Sequence, residues 1–472
     1  MALTNGTKPP ETPEPTGTTN TSTSRSDTIP IWAQSARADR PTLLLHLSLP
    51  SLLAGPAQLL STVTPQQPVA ATPPVQPSTE TPPVQPSTET PPVQPSAKRV
   101  VLQQLDREAR RHLSPLYTRF HDDELQYHPK RIFHPWKPEY RTQPSPPAVW
   151  SYSCFPTSAV DYEIPDASTI RVYTPEGGPP KNGLPALLWC SGGGMVLGDI
   201  ESDHGMLTRL SCVMRCAVVQ INYRRAPEHP FPTPVNDVAA AYEFIYRNRG
   251  PLGLNGCFVL GGTSAGANLA FVTVLQRIQA KQQIPTAVLF VAPAQLDNTL
   301  TLESSTGWKK MKHAPWTGVD TVMSFRELYL PNGAHPLNWQ QNPLNFPDVL
   351  LDGVKFPPTF NLLMGVDLFL EEGKMLTNRL LSNGTVVEEK IFPGLPHMAL
   401  GMGRMFPEVL EHISNILRTI FTVDDYMYTG LYTDLPLPQD RSDRSCFKGL
   451  YPISWPDSLI TNVFQAHQLR SE

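Results

Sequence analysis

From Ser168 to Ile420, apolar and polar residues alternate in two rhythms. Short apolar runs occupy 169–173, 186–190, 217–221, 257–260, 287–291, 360–364 and 386–392. Between them lie longer stretches with helix-like patterning, at 204–215, 235–248, 265–279, 370–381 and 407–420. The short runs read as buried strands and the longer stretches as amphipathic helices. Their alternation predicts an α/β fold, a mainly parallel central sheet with helices on both faces. In such sheets ligands collect outside the carboxyl ends of the strands.

Two regions break the rhythm. Residues 101–116 read as an amphipathic helix, and 301–344 are irregular but carry Trp308, Trp316, Phe325, Tyr329 and Trp339. Aromatics away from a sheet can line a ligand pocket, so these segments are expected to form a small helical cap over the site. Ordinary packing of an insertion is the competing reading. After residue 423 no periodicity is evident.

Composition changes the picture most at the start of the 472-residue chain, where residues 1–98 hold 19 of the 53 prolines. Thr-Pro-Pro-Val-Gln-Pro-Ser recurs from Thr72, Thr81 and Thr90, a period of nine. Such a tract cannot bury a core, and disorder is expected there. The expected organisation is therefore a Pro/Thr/Ser-rich tract over 1–98, one α/β domain with its cap over 99–424, and an extension over 425–472. A net charge of −4 gives no electrostatic reason to expect nucleic acid or an anionic membrane. The run Arg107-Glu108-Ala109-Arg110-Arg111 reads as a solvated helix face. The six cysteines show no C-x-x-C pair or metal spacing, and Cys190 and Cys257 fall in apolar runs as expected of small core residues. No basic and apolar leader is visible, and Pro50, Gly55 and Pro56 interrupt the leucine-rich tract at 43–60, so no stable membrane span is expected. A reducing, cytoplasmic setting fits, and no metal or organic cofactor is implied.

Gly262-Thr263-Ser264-Ala265-Gly266 carries the sharpest chemical signal. An apolar run passing through G-x-S-x-G into a helix is a nucleophile elbow, in which small neighbours let the chain reverse and leave the serine hydroxyl free at a helix N-terminus. A glycine-rich turn whose serine merely caps the helix is the alternative. A serine nucleophile needs a base oriented by a carboxylate. In the order serine, acid, histidine, Asp367 follows run 360–364 and His397 follows run 386–392 through Pro393-Gly394-Leu395-Pro396, expected to be a rigid loop. Asp367 could instead cap the helix that follows, and His397 could be a loop histidine bound to backbone. Glu371, Glu372 and His412 fall inside helical patterns, while His204, His229, His313 and His335 precede the acid. Ser191-Gly192-Gly193-Gly194 directly follows run 186–190. Its backbone amides, with that of Ala265, can form an oxyanion hole worth roughly 3–4 kcal/mol per donor. A flexible turn is the alternative, and no Lys-Ser/Thr follows to suggest a phosphate loop.

Together, the glycine loop in 191–199, Asn222-Tyr223-Arg224-Arg225-Ala226-Pro227-Glu228-His229-Pro230-Phe231-Pro232, the elbow, Gly365-Val366-Asp367 and Pro396-His397 resemble the hormone-sensitive-lipase-like branch of the α/β-hydrolases. The likeness spans roughly 150–420. It implies a carboxylic-ester hydrolase acting on a small ester or lactone, such as a specialised metabolite. Ser264 would be the nucleophile, His397 the base and then acid, Asp367 the orienter, and Gly193, Gly194 and Ala265 the oxyanion donors. One departure stands out: the family's loop usually begins with a histidine that braces it, where this chain has Ser191. The expectation is less well-placed amides and reduced or narrowed activity. Plant gibberellin receptors resemble the same family without the base, so His397 weighs against a non-catalytic receptor. A dehydratase or acyl-transfer enzyme on the same pocket is a third reading.

Overall fold

The computed structural model describes residues 99–130, 133–143 and 151–421. The repeat-bearing tract, the leucine-rich stretch and the extension after 424 lie outside the described residues. Eight strands form one sheet: β1 (Thr157–Glu163), β2 (Thr169–Pro175), β3 (Leu184–Cys190), β4 (Ala217–Asn222), β5 (Leu254–Thr263), β6 (Ala287–Val291), β7 (Thr359–Val366) and β8 (Val387–Pro396). Their order is β1-β2-β4-β3-β5-β6-β7-β8. The β1–β2 and β2–β4 pairs are antiparallel and every later pair is parallel. Strands β3 and β6 are buried at every position, as their unbroken apolar runs require.

The helices that flank the sheet between strands include α3 (His204–Met214), α4 (Thr233–Arg247), α5 (Ala265–Gln279) and α8 (Leu370–Ser382), and α9 (Pro407–Ile420) follows the last strand. The step from β3 to β4 runs one way along the sheet, and the steps from β4 through β8 run the other. Right-handed crossovers then put α3 on one face and α4, α5 and α8 on the opposite one. The packing agrees: α4 lies against α5, and α9 lies against α3. Helix α5 is buried almost throughout, which explains its lack of a polar face.

Four expectations need correction. Strand β1 falls in no apolar run, because it is an edge strand whose exposed positions are Ser158, Ala159, Asp161 and Glu163. The expected 101–116 helix is two helices, α1 (Arg107–His112) and α2 (Pro115–Asp123). Ser114 separates them, accepting the Tyr117 amide at 3.2 Å as the α2 cap, with Pro115 at the first helical position. The expected loop at 393–396 is continued strand. Cys190 is fully buried, but Cys257 is only partly so, since it lies near the open start of β5. In the charged run Ala109 is buried while Arg107, Glu108 and Arg111 stay exposed. Arg110 reaches Asp122 of α2 at 2.6 Å.

The 301–344 region contains α6 (Thr306–Met311) and α7 (Val319–Tyr329). Its aromatics divide. Trp316 and Phe325 line the cavity above the sheet, whereas Trp308 and Tyr329 are buried at 1% exposure and Trp339 packs against the main core. Among the described residues no helix is long and apolar enough to cross a membrane.

Candidate active site

Ser264 sits at the turn from β5 into α5 with φ 55° and ψ −123°. A non-glycine residue there is strained and must be held by its surroundings. Its amide donates to Val291 O on β6 at 2.9 Å, and its carbonyl accepts from Ala267 N at 3.1 Å. A Cβ at Gly262 would stand 2.5 Å from Cys190 O, and one at Gly266 would collide with the same atom. The elbow glycines are therefore dictated by how closely α5 approaches β3.

Strand register brings the other two side chains together. Beyond an irregularity near Gly365, Val366 pairs with Pro396, so Asp367 and His397 leave adjacent strands side by side. His397 Nδ1 lies 2.7 Å from Asp367 Oδ2, and His397 Nε2 lies 2.8 Å from Ser264 Oγ. With Nδ1–H donating to the carboxylate, Nε2 is left to accept the serine proton. The other oxygen, Asp367 Oδ1, accepts the Phe369 amide at 3.0 Å. Asp367 Oδ1 thus holds the backbone two residues on, but the helix starts at Leu370 after Phe369 with no side-chain cap, so Asp367 is not its cap. Asp367 is 1% exposed and His397 6%.

Gly193 (φ 114°) and Gly194 (φ 65°) lie on the loop after β3. The Gly193 carbonyl accepts from Val196 and Leu197 at 3.0 and 2.8 Å, which turns the chain. The amides of Gly193, Gly194 and Ala265 have no backbone acceptor among the described residues. Gly192 stands close to the serine: its Cβ would be 3.1 Å from Ser264 Cβ. A hydroxyl, an oriented imidazole and unengaged amides can together support attack on a carbonyl carbon and stabilise the resulting oxyanion.

The residues that hold this loop come largely from the 222–232 motif, to which the sequence reading gave no role. Tyr223 hydroxyl donates to Ser191 O at 2.9 Å, Ala226 N to Met195 O at 2.9 Å, and Arg225 Nε to Leu197 O at 3.1 Å. The 222–232 motif is thus a brace for the glycine loop. Below it, Gln220 Nε2 donates to Ser191 Oγ at 3.2 Å and Trp189 Nε1 to Asp203 Oδ2 at 3.0 Å. Burial pushes the Asp203 carboxyl up, opposed by hydrogen bonds from Trp189 and Ser191. Outside that motif the one legible signal was Gln220, a polar residue inside the apolar run of β4.

Above the serine is a cavity of about 1390 Å³. Ser264, His397 and Gly192–Gly194 form its floor, and Leu302, Trp316, Val322 and Phe325 of the 301–344 region line it with Phe133. Phe369 packs beside His397, with ring centroids 5.6 Å apart.

Comparison with known proteins agrees with this architecture. Residues 187–401 match the family described as alpha/beta hydrolase fold. An arylesterase of Saccharolobus solfataricus is 28% identical over 55% of this chain and 81% of its own length. The solved carboxyl esterase 2 of Tuber melanosporum shares the fold with a TM-score of 0.57 at 22% identity, over 66% of this chain and 99% of that one. An ester hydrolase from the metagenome of Lake Arreo, solved with a phosphonate derivative, gives a TM-score of 0.52 at 26% identity, over 58% of this chain and 86% of its own. An AB hydrolase superfamily protein of Schizosaccharomyces pombe is 32% identical over 243 residues, which span 51% of this chain and 70% of that protein. By that likeness the chain belongs to the α/β-hydrolase superfamily.

Proposed function

We propose that the protein is a serine hydrolase that cleaves a carboxylic ester or lactone of a small molecule through an acyl-enzyme. The observation that carries this reading is the position of His397, within hydrogen-bond reach of Ser264 Oγ on one side and Asp367 on the other. Ser264 Oγ attacks the ester carbonyl carbon while His397 Nε2 takes its proton. The carbonyl oxygen becomes an oxyanion facing the amides of Gly193, Gly194 and Ala265. His397 returns the proton to the departing alcohol oxygen as the C–O bond breaks, leaving the acyl group on Ser264. Water, activated by the same imidazole, then releases the acid. Asp367 holds the ring and stabilises its charged form. The esterase and arylesterase names of relatives support the ester as substrate class.

A fluorophosphonate probe tests the reading. The full chain is expected to label and to hydrolyse p-nitrophenyl butyrate, and Ser264→Ala to do neither. Labelling retained in Ser264→Ala would refute the assignment, and labelling without water-dependent turnover would favour acyl transfer instead.

A further inference from the structure

The segment after β6 bends through two non-glycine residues in the left-handed region, Ala292 (φ 45°) and Gln295 (φ 55°). Such a conformation persists only where surrounding groups over-determine it. Here they do. Ala292 N donates to Leu362 O at 2.7 Å, Asn268 Nδ2 donates to Gln295 O at 2.6 Å, and Leu296 N donates to Glu372 Oε2 at 2.9 Å. Asn268 lies in α5 four positions after Ser264, so the nucleophile's helix itself fixes this bend.

The bend sets Gln295 in the wall of the cavity shared by Ser264 and His397. Gln295 is 2% exposed, yet its Nε2 has no acceptor among the described residues. Buried donors are ordinarily satisfied, and one left open is unfavourable. A second donor has the same character. Trp316 (φ 72°) lines the cavity from the 301–344 region, and its buried Nε1 also has no acceptor among the described residues. A pocket meant for plain hydrocarbon calls for neither.

We propose that Gln295 Nε2, assisted by Trp316 Nε1, receives a hydrogen-bond-accepting oxygen carried by the substrate beside its scissile ester. The preferred substrates are then hydroxy-, keto- or alkoxy-substituted esters instead of simple alkyl esters. This rests on the hydrolase reading above and narrows its substrate class.

Two near-isosteric pairs test it: p-nitrophenyl methoxyacetate against p-nitrophenyl butyrate, and 2-methoxyethyl butyrate against n-butyl butyrate. In each, one ether oxygen replaces a methylene, on the acyl or the alcohol side. The ether-to-alkyl ratio of kcat/KM, divided by the same ratio for hydroxide-catalysed hydrolysis, removes intrinsic reactivity. For at least one pair that corrected ratio is expected to reach about tenfold in the full chain, to collapse toward one in Gln295→Met and to fall in Trp316→Phe. A ratio near one for both pairs in the full chain overturns the proposal, as does a raised ratio that a folded Gln295→Met retains. Should Gln295→Met fail to fold, the full-chain ratio and Trp316→Phe still decide. Absence of turnover on all four esters, with no fluorophosphonate labelling, is a separate result: it overturns the hydrolase reading and this inference with it.

Discussion

Glu372 offers the most quantitative test of how the 301–344 region is tied to the body of the protein. It sits in α8 at 2% exposure and joins three pieces of chain. One carboxyl oxygen accepts the amides of Leu296 and Asp297 after β6, at 2.9 and 3.3 Å, and the other accepts Trp308 Nε1 of α6 at 3.0 Å. Arg326 of α7 faces the same cluster, its guanidinium 5.3 Å from the Trp308 ring. Burial dominates these favourable contacts and pushes the Glu372 carboxyl from 4.5 to about 7. A folded-state value above the unfolded one means that the native state holds its proton longer. Stability is therefore highest below about 4.5 and is lost as the pH rises through about 7, amounting to about 3 kcal/mol in full. Most of this is lost between pH 5 and pH 8. Glu372→Gln is uncharged at every pH and lacks this titration; its NH2 must face one of the three N–H donors, a loss that is the same at every pH. Urea unfolding of both proteins, followed by tryptophan fluorescence from pH 5 to 8, should show the variant gaining about 2–3 kcal/mol on the parent across that window. A flat difference would refute the reasoning. A difference of opposite sign would mean that Arg326 and the three N–H donors outweigh desolvation.

Asp367→Asn keeps the acceptor for the Phe369 amide but removes the charge that stabilises the imidazolium. Its kcat on p-nitrophenyl butyrate should fall by roughly 10³–10⁴-fold with little change in thermal stability. Gly194→Ala places a Cβ into the Phe325 ring at a backbone φ of 65°. Steady-state kinetics should show kcat reduced at least about tenfold through displaced amides, and calorimetry a loss of about 1–3 kcal/mol.

Where packing on the chain's own element decided the structure, the sequence was readable. Ala287–Val291, Ala265–Gln279 and Pro407–Ile420 have the bounds that their apolar patterns predict. Ser264, Asp367 and His397 were legible for a related reason: each follows a strand, buried in β5 and β7 and at the half-exposed sheet edge in β8, and the carboxyl edge of a parallel sheet gathers whatever follows its strands. What stayed hidden depends on contacts between distant segments. Strand β1 owes its place to pairing with β2, not to burial of its side chains. Trp308 turned from the cavity to Glu372, a partner 64 positions away. Gln295 carries no pattern at all, since its significance lies in a backbone twist and a missing acceptor.

At Ser191 the fold supplies contacts that the expectation of a loosened loop left out of account. The expectation of a loosened loop assumed that the first side chain of the glycine loop must brace it. Here the brace comes from outside the loop. Tyr223 holds the Ser191 carbonyl, Gln220 holds its hydroxyl from the neighbouring strand, and the Tyr173 hydroxyl in turn donates to Gln220 Oε1 at 3.0 Å. Trp189, Ser191, Gln220, Tyr173 and Tyr223 are each 1% exposed or less, so water competes little for these bonds and each is stronger for its low-dielectric setting. Oxyanion stabilisation depends on where backbone amides point, and that direction is fixed by the carbonyls on either side of them. Ser191 O, Met195 O and Leu197 O are all tied to the 222–232 motif, and the small Ser191 side chain hydrogen-bonds the Asp203 carboxyl beneath the loop, so the direction of the amides rests on these carbonyls and not on a bulky first side chain.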